Sequence, residues 1–182
     1  MGDQGVLGNA NVADTRIENG VVYHLTDGPV NADSTSGEVD WERRRQLMDH
    51  HTAVHIVGGS ARTLLGPHVW QAGSNKGARY ARIDLTHFSR LSRDEINRIE
   101  DHSNDVIAAD YEVEKLAIPR AEADELFGFE LYQGGPPKSR QIRVIKIGDH
   151  DVQACGGTHH DKVGKIGELR IIRSSQVQDG VE

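Results

Sequence analysis

Cysteine occurs once in this chain, at Cys155, so an internal disulfide is excluded and a reducing compartment is the natural reading. Aromatic residues are sparse at 5%, and no apolar run approaches membrane-spanning length. The first residues, Met1-Gly2-Asp3-Gln4-Gly5, carry no apolar signal region. The expectation is a soluble, cytoplasmic protein with no membrane partner. An excess of positive charge is also missing. The formal net charge of −7 argues against broad nucleic-acid binding by bulk charge. It leaves room for a local basic face, because arginines cluster at Arg43, Arg44 and Arg45, at Arg62, Arg79 and Arg82, and at Arg140 and Arg143. Glycine is abundant, at 20 of 182 residues, within a globular balance of 36% hydrophobic and 27% charged content. That length suits one domain or two small ones.

The pattern along the chain is α+β, a small β-barrel-like module over residues 1–39 followed by a two-helix plus antiparallel-sheet unit over residues 40–182. In the first module, residues 12–16 and 21–25 are strand candidates flanking Asn19-Gly20, a strong hairpin signal. Asp27-Gly28-Pro29 marks another turn, and the polar stretch 31–37 reads as a loop. Asp40 can cap a helix that begins at Trp41, carries apolar residues to Leu65 and stops at Gly66-Pro67. Gly58-Gly59 within it marks a kink or a tight approach by another backbone. Residues 69–72 and 80–85 read as strands. Ser92-Arg93-Asp94-Glu95 is a capping box opening a second helix to about Ala109. Further strands are expected at 113–117, 142–147, 152–154 and 169–174, with a short helix at 120–126 and a rigid turn at 133–137.

Chemistry concentrates in two distant segments. His51-Thr52-Ala53-Val54-His55 is H-x3-H, and Cys155-Gly156-Gly157-Thr158-His159 is C-x3-H. On a helix, His51 and His55 lie one turn apart on one face and can reach one ion. The second pair has the same spacing, but its two glycines predict a tight loop after the 152–154 strand. One sulfur and three imidazoles form a set that zinc favours. Four protein ligands describe a closed structural site. Three, with His159 withdrawn, would leave an open catalytic position. Thr52 stands where a metalloprotease H-E-x-x-H has its Glu, which excludes peptidase chemistry of that kind. A small hydroxyl there can instead bind a substrate hydroxyl or exclude a methyl group. His50 and His160 read as solvated neighbours. Asp49 and Asp151 are candidates to orient a ligand imidazole, against the simpler reading of each as a solvated carboxylate.

These residues resemble a known family. The run from Arg43 to His55 is similar to the R-R-x-x-x-M-x-x-H-T-A-T-H segment of alanyl-tRNA synthetase editing domains, and Cys155 to His159 and Gln178 to Glu182 resemble the same family. Gly66 to Gly73 and Leu131 to Gly135 look like its archaeal-type branch, which is related to free-standing alanyl-tRNA editing proteins. The resemblance covers nearly the whole chain. It implies a β-barrel-like module and an editing core shared with threonyl-tRNA synthetases. It also implies zinc held by His51, His55, Cys155 and His159, with Thr52 facing an amino-acid pocket. The implied reaction is hydrolysis of the ester in tRNA(Ala) wrongly charged with serine or glycine.

The chain departs from the family in having Val54 for a common Thr and in lacking the G-G-Q motif that precedes this region. No aminoacylation core or nucleotide-binding motif is present. The expectation is therefore an excised editing fragment, with a parent synthetase chain as partner, or a free-standing factor. In either case the metal would position the aminoacyl group or activate water, and backbone N–H groups around Gly156 and Gly157 would support the oxyanion. Arg43, Arg44, Arg45, Lys76 and Arg79 are the candidates to hold tRNA phosphates. Two other classes compete with this reading. One is a noncatalytic tRNA-binding or interaction module with a structural zinc. The other is a zinc hydrolase acting on a small free ester or amide.

Overall fold

The computed structural model describes residues 2–31, 36–137, 139–176 and 180–181. Four short strands come first: β1 (Gly5–Leu7), β2 (Ala10–Glu18), β3 (Val21–Thr26) and β4 (Gly37–Val39). They pair antiparallel in the order β3-β2-β1-β4. The β2–β3 turn is the expected one. Asn19 and Gly20 both take positive φ, 52° and 80°, which is what a two-residue turn between twisted strands requires. β3 and β4 lie at opposite edges of an antiparallel sheet, and the described strands do not confirm the β-barrel-like module expected. Most of the polar stretch 31–37 lies outside the described residues.

The sheet is tied to helix α1 (Trp41–Leu65) at its base. The amide of Asp40 donates to the Gln4 carbonyl, and the Arg44 guanidinium pairs with both oxygens of Asp3. The Asp40 carboxylate accepts from the Arg43 amide and caps α1, while Gly66, at φ 117°, ends it. The hairpin β5 (Gln71–Lys76) and β6 (Ala81–Leu85) follows, then α2 (Arg93–Ala108), which opens on the full capping box of Ser92 and Glu95. The remaining elements are β7 (Val113–Pro119), α3 (Arg120–Phe127), β8 (Gln141–Ile147) and β9 (Asp151–Ala154). β7, β8 and β9 form one antiparallel sheet with β8 in the middle.

β8 is apolar on both faces because both are covered. Ile142 and Val144 pack with Ala123 of α3, Leu131 and Tyr132. Ile145 and Ile147 pack with Ile56 of α1 and with Val106 and Ile107 of α2. A third cluster, Ala61, Val69, Leu85 and Ile99, seals the far end of α1 against β6 and α2. The sheet is therefore pressed against α1 along its buried face, and the β8–β9 connection crosses the helix at Gly58-Gly59. The helix does not break there. The glycines serve an approach: a Cβ on Gly59 would stand 2.7 Å from His150 Nε2 and 3.0 Å from the His150 carbonyl oxygen. His150 Nε2 in turn lies 2.9 Å from the Ile56 carbonyl.

One expected strand is absent. Residues 169–174 have no regular secondary structure and join no ladder. Side chains of α2 take the place of a neighbouring strand. The Asn104 amide group both accepts from Leu169 N and donates to Leu169 O, and Glu100 accepts from Ile171 N.

A Gly to Ala change inside a helix ordinarily stabilises it by roughly 1 kcal/mol. Gly59→Ala is expected to do the opposite, lowering stability by about 1–3 kcal/mol, because backbone and ring stand in the way. Gly58→Ala meets only side-chain ends, Ile83 Cδ1 at 3.3 Å and Gln153 Nε2 at 4.0 Å. It should be neutral or stabilising. Urea denaturation of the two variants gives the comparison, and equal midpoints would contradict the contact.

Candidate metal centre

Pressing β9 onto α1 brings the two motif segments together. His51 and His55 project from one face of α1, and Cys155 and His159 come from the loop after β9. One donor atom from each lies within 4.8 Å of the others. Cys155 Sγ is 3.3 Å from His51 Nε2 and 3.4 Å from His159 Nε2. The rings of His51 and His159 have centroids 4.1 Å apart, and those of His55 and His159 4.6 Å. Zinc ligand distances of about 2.0–2.1 Å to nitrogen and about 2.3 Å to sulfur, set tetrahedrally, place donors roughly 3.3–3.6 Å apart. The two Cys155 contacts match that spacing, and the tetrad could hold such an ion.

Two of the three imidazoles are held from behind. His55 Nδ1 lies 3.0 Å from Asp151 Oδ2, and His159 Nδ1 lies 3.2 Å from Thr52 Oγ1. Both contacts leave Nε2 for the centre, the arrangement by which outer groups fix tautomer and ring angle at metal sites. Asp151 is a buried carboxylate and not a solvated one. Its side chain is fully enclosed, Gln153 Nε2 donates to it at 3.0 Å, and Arg62 stands 3.7 Å away. Alternation along β9 puts Asp151, Gln153 and Cys155 on one side of the strand, a signal present in the sequence as D-x-Q-x-C.

The electrostatics follow from this enclosure. Burial would raise the Cys155 thiol, but hydrogen bonds from His159, His51 and His55 outweigh it and bring it down to about 2. Burial lowers His159 to about 4 and also lowers His51. His55 goes the other way. Burial would lower it, but the bonds to Asp151 and Cys155 carry it up to about 9.

The loop explains its glycines unequally. A Cβ on Gly157 would fall 2.0 Å from His51 Cε1, so that position must stay bare. Gly156 is exposed, and a Cβ there would meet nothing within 4 Å. Thr52 is completely buried, with its hydroxyl at His159. His160 is buried and not solvated, because the loop turns back under α1 and sets its Nε2 2.6 Å from Asp49. His50 is also engaged, 2.7 Å from the Gly77 carbonyl.

The basic candidates scatter. Arg44 is paired with Asp3, and Arg43 reaches the Gly2 carbonyl. Arg45 and Arg79 are exposed. Lys76 is half-buried beside the centre and donates to Ser74; burial pushes its ammonium down, against the pull of Cys155. Arg62, His150 and Arg143 are contributors that motif spacing did not single out.

Comparison with known proteins shows what the sequence is similar to. Residues 142–182 match the family described as threonyl and alanyl tRNA synthetase second additional domain. Over 172 residues, 94% of this chain, the sequence is 48% identical to the alanine–tRNA ligase of Haloquadratum walsbyi. This chain is homologous to part of alanine–tRNA ligase. The corresponding enzyme of Natronomonas pharaonis is 47% identical over 95% of the chain, and that of Methanopyrus kandleri 45% over 96%. The chain covers 18%, 19% and 19% of these three alanine–tRNA ligases, about a fifth of the length of the curated relatives it matches. No described helix is long and apolar enough to cross a membrane.

Asp151→Asn keeps the shape of the side chain but removes the charge behind His55. It is expected to weaken zinc binding by about 10–100-fold, read by competition with a chromophoric chelator, while the fold persists by circular dichroism. Unchanged affinity would show that Asp151 does not support the tetrad.

Proposed function

We propose that this chain carries a hydrolytic editing site that deacylates tRNA(Ala) mischarged with serine, and also with glycine. The observation that carries the reading is the meeting of His51, His55, Cys155 and His159 in a chain homologous to alanine–tRNA ligase. The chemistry gives such a site a purpose. A pocket built for alanine cannot strongly reject glycine and admits serine, since a difference of one small group is worth only about 1–3 kcal/mol. A second, hydrolytic site then supplies the missing discrimination.

In this reading residues 40–182 form the zinc-binding editing unit and residues 1–39 a separate β module. Zinc is the proposed ion, and when bound it supplies a Lewis acid that can orient an ester carbonyl or acidify water. The chain's own residues do the rest. Asp151 and Thr52 fix the tautomers of His55 and His159. With His159 Nδ1 donating to Thr52 Oγ1, the Thr52 hydroxyl keeps its proton for a second acceptor, and we assign it the seryl hydroxyl. Peptide N–H groups of the Gly156-Gly157 turn are assigned to the developing oxyanion. Arg43, Arg44, Arg45, Lys76 and Arg79 are assigned to phosphates of the acceptor end, with exposed Arg45 and Arg79 foremost. The proposed setting is the cytoplasm, with a parent synthetase chain as partner.

A second reading has a specific observation behind it. All four side chains converge, which is the donor set of a closed structural site in a tRNA-binding or interaction module. One assay separates the two. The full chain is incubated with Ser-tRNA(Ala), with and without chelator, beside Ala-tRNA(Ala) and the Cys155→Ala variant. Editing predicts loss of the seryl ester only, abolished by Cys155→Ala and by metal removal. A zinc-loaded chain that leaves Ser-tRNA(Ala) intact would favour the noncatalytic reading.

A further inference from the structure

Arg143 lies on β8, on the strand that neighbours β9, and it has no place in either metal motif. Its backbone carbonyl accepts from the Cys155 amide at 3.0 Å. Its guanidinium Nη1 donates to the Cys155 carbonyl at 2.8 Å and to the Gly157 carbonyl at 2.6 Å. One residue therefore makes three hydrogen bonds to the segment between the two loop ligands. No regular ladder could hold this segment, because β9 ends at Ala154 and the chain turns away from the sheet. The charge suits the task, since a cation on two carbonyls makes stronger bonds than a neutral donor would.

The clasp has a second consequence. No peptide here is cis, so each carbonyl points opposite to the N–H of its own peptide unit. Tying the carbonyls of Cys155 and Gly157 to Arg143 turns the N–H groups of Gly156 and Thr158 to the other side. Among the described residues neither amide has a hydrogen-bond acceptor. The same restraint seats Gly157 against the His51 ring, where no side chain fits.

We infer that Arg143 is the positioning residue of the centre, fixing the loop so that Cys155 and His159 meet His51 and His55 with metal-binding geometry. The inference rests on the reading of the tetrad as a metal site. It is tested on the full chain with cobalt(II) as the probe, through the thiolate-to-cobalt charge-transfer band and competition with zinc. Arg143→Gln, which loses the charge and the double donation, should bind zinc about 10–100-fold more weakly and show a shifted, weaker band. Arg143→Lys should recover part of both. Thermal unfolding of the metal-free variants separates this from a merely structural role, which would lower the melting temperature and leave band and affinity as they were. Wild-type band and affinity in Arg143→Gln would overturn the inference, and in Arg143→Lys they are decisive should Arg143→Gln fail to fold. If the unaltered chain takes up no cobalt, the metal reading itself fails, a result distinguishable from failure of the Arg143 assignment.

Discussion

The contact on which the rest depends joins Cys155 Sγ to His51 Nε2, 3.3 Å apart in space and 104 positions apart in sequence. Neither local segment can make a four-donor site alone. The helix contributes two imidazoles at a spacing fixed by its own geometry, and the loop contributes a thiolate and a third imidazole. What joins them is the packing of the central strand β8, whose Ile145 and Ile147 lie against Ile56 of α1. The hydrophobic core here does more than stabilise, because its register decides whether sulfur and nitrogen can share an ion.

Enclosing a thiolate and a carboxylate in one core carries a desolvation cost, and the molecule offsets it with close partners. Asp151 has His55, Gln153 and Arg62 around it. The three histidines around Cys155 hold its thiol well below the ordinary thiol range, while the bonds to Asp151 and Cys155 carry His55 up. Asp151 and Thr52 stand behind His55 and His159 in the same enclosure.

Much of the fold was legible because single residues announce it. Asp40 and Gly66-Pro67 bound α1, Ser92 and Glu95 start α2, and Asn19-Gly20 turns the β2–β3 hairpin. The tetrad was legible through two equal spacings and, more sharply, through the resemblance that the homology to alanine–tRNA ligase upholds. What escaped was tertiary. Asp151 is one acid among 28 acidic residues, and only its place on the buried side of β9 distinguishes it. His160 looked solvated because nothing local says that the loop tucks under α1. The 169–174 segment has the composition of a strand, but α2 side chains satisfied its backbone and no ladder formed. The strand order β3-β2-β1-β4 of the first module is likewise something that local pattern does not encode.

X-ray absorption at the zinc edge of the metal-loaded chain tests the central claim most directly. The account predicts one sulfur at about 2.3 Å and three imidazole nitrogens at about 2.0–2.1 Å, with the sulfur shell lost in Cys155→Ala. A first shell without sulfur, or with oxygen donors replacing the imidazoles, would contradict it.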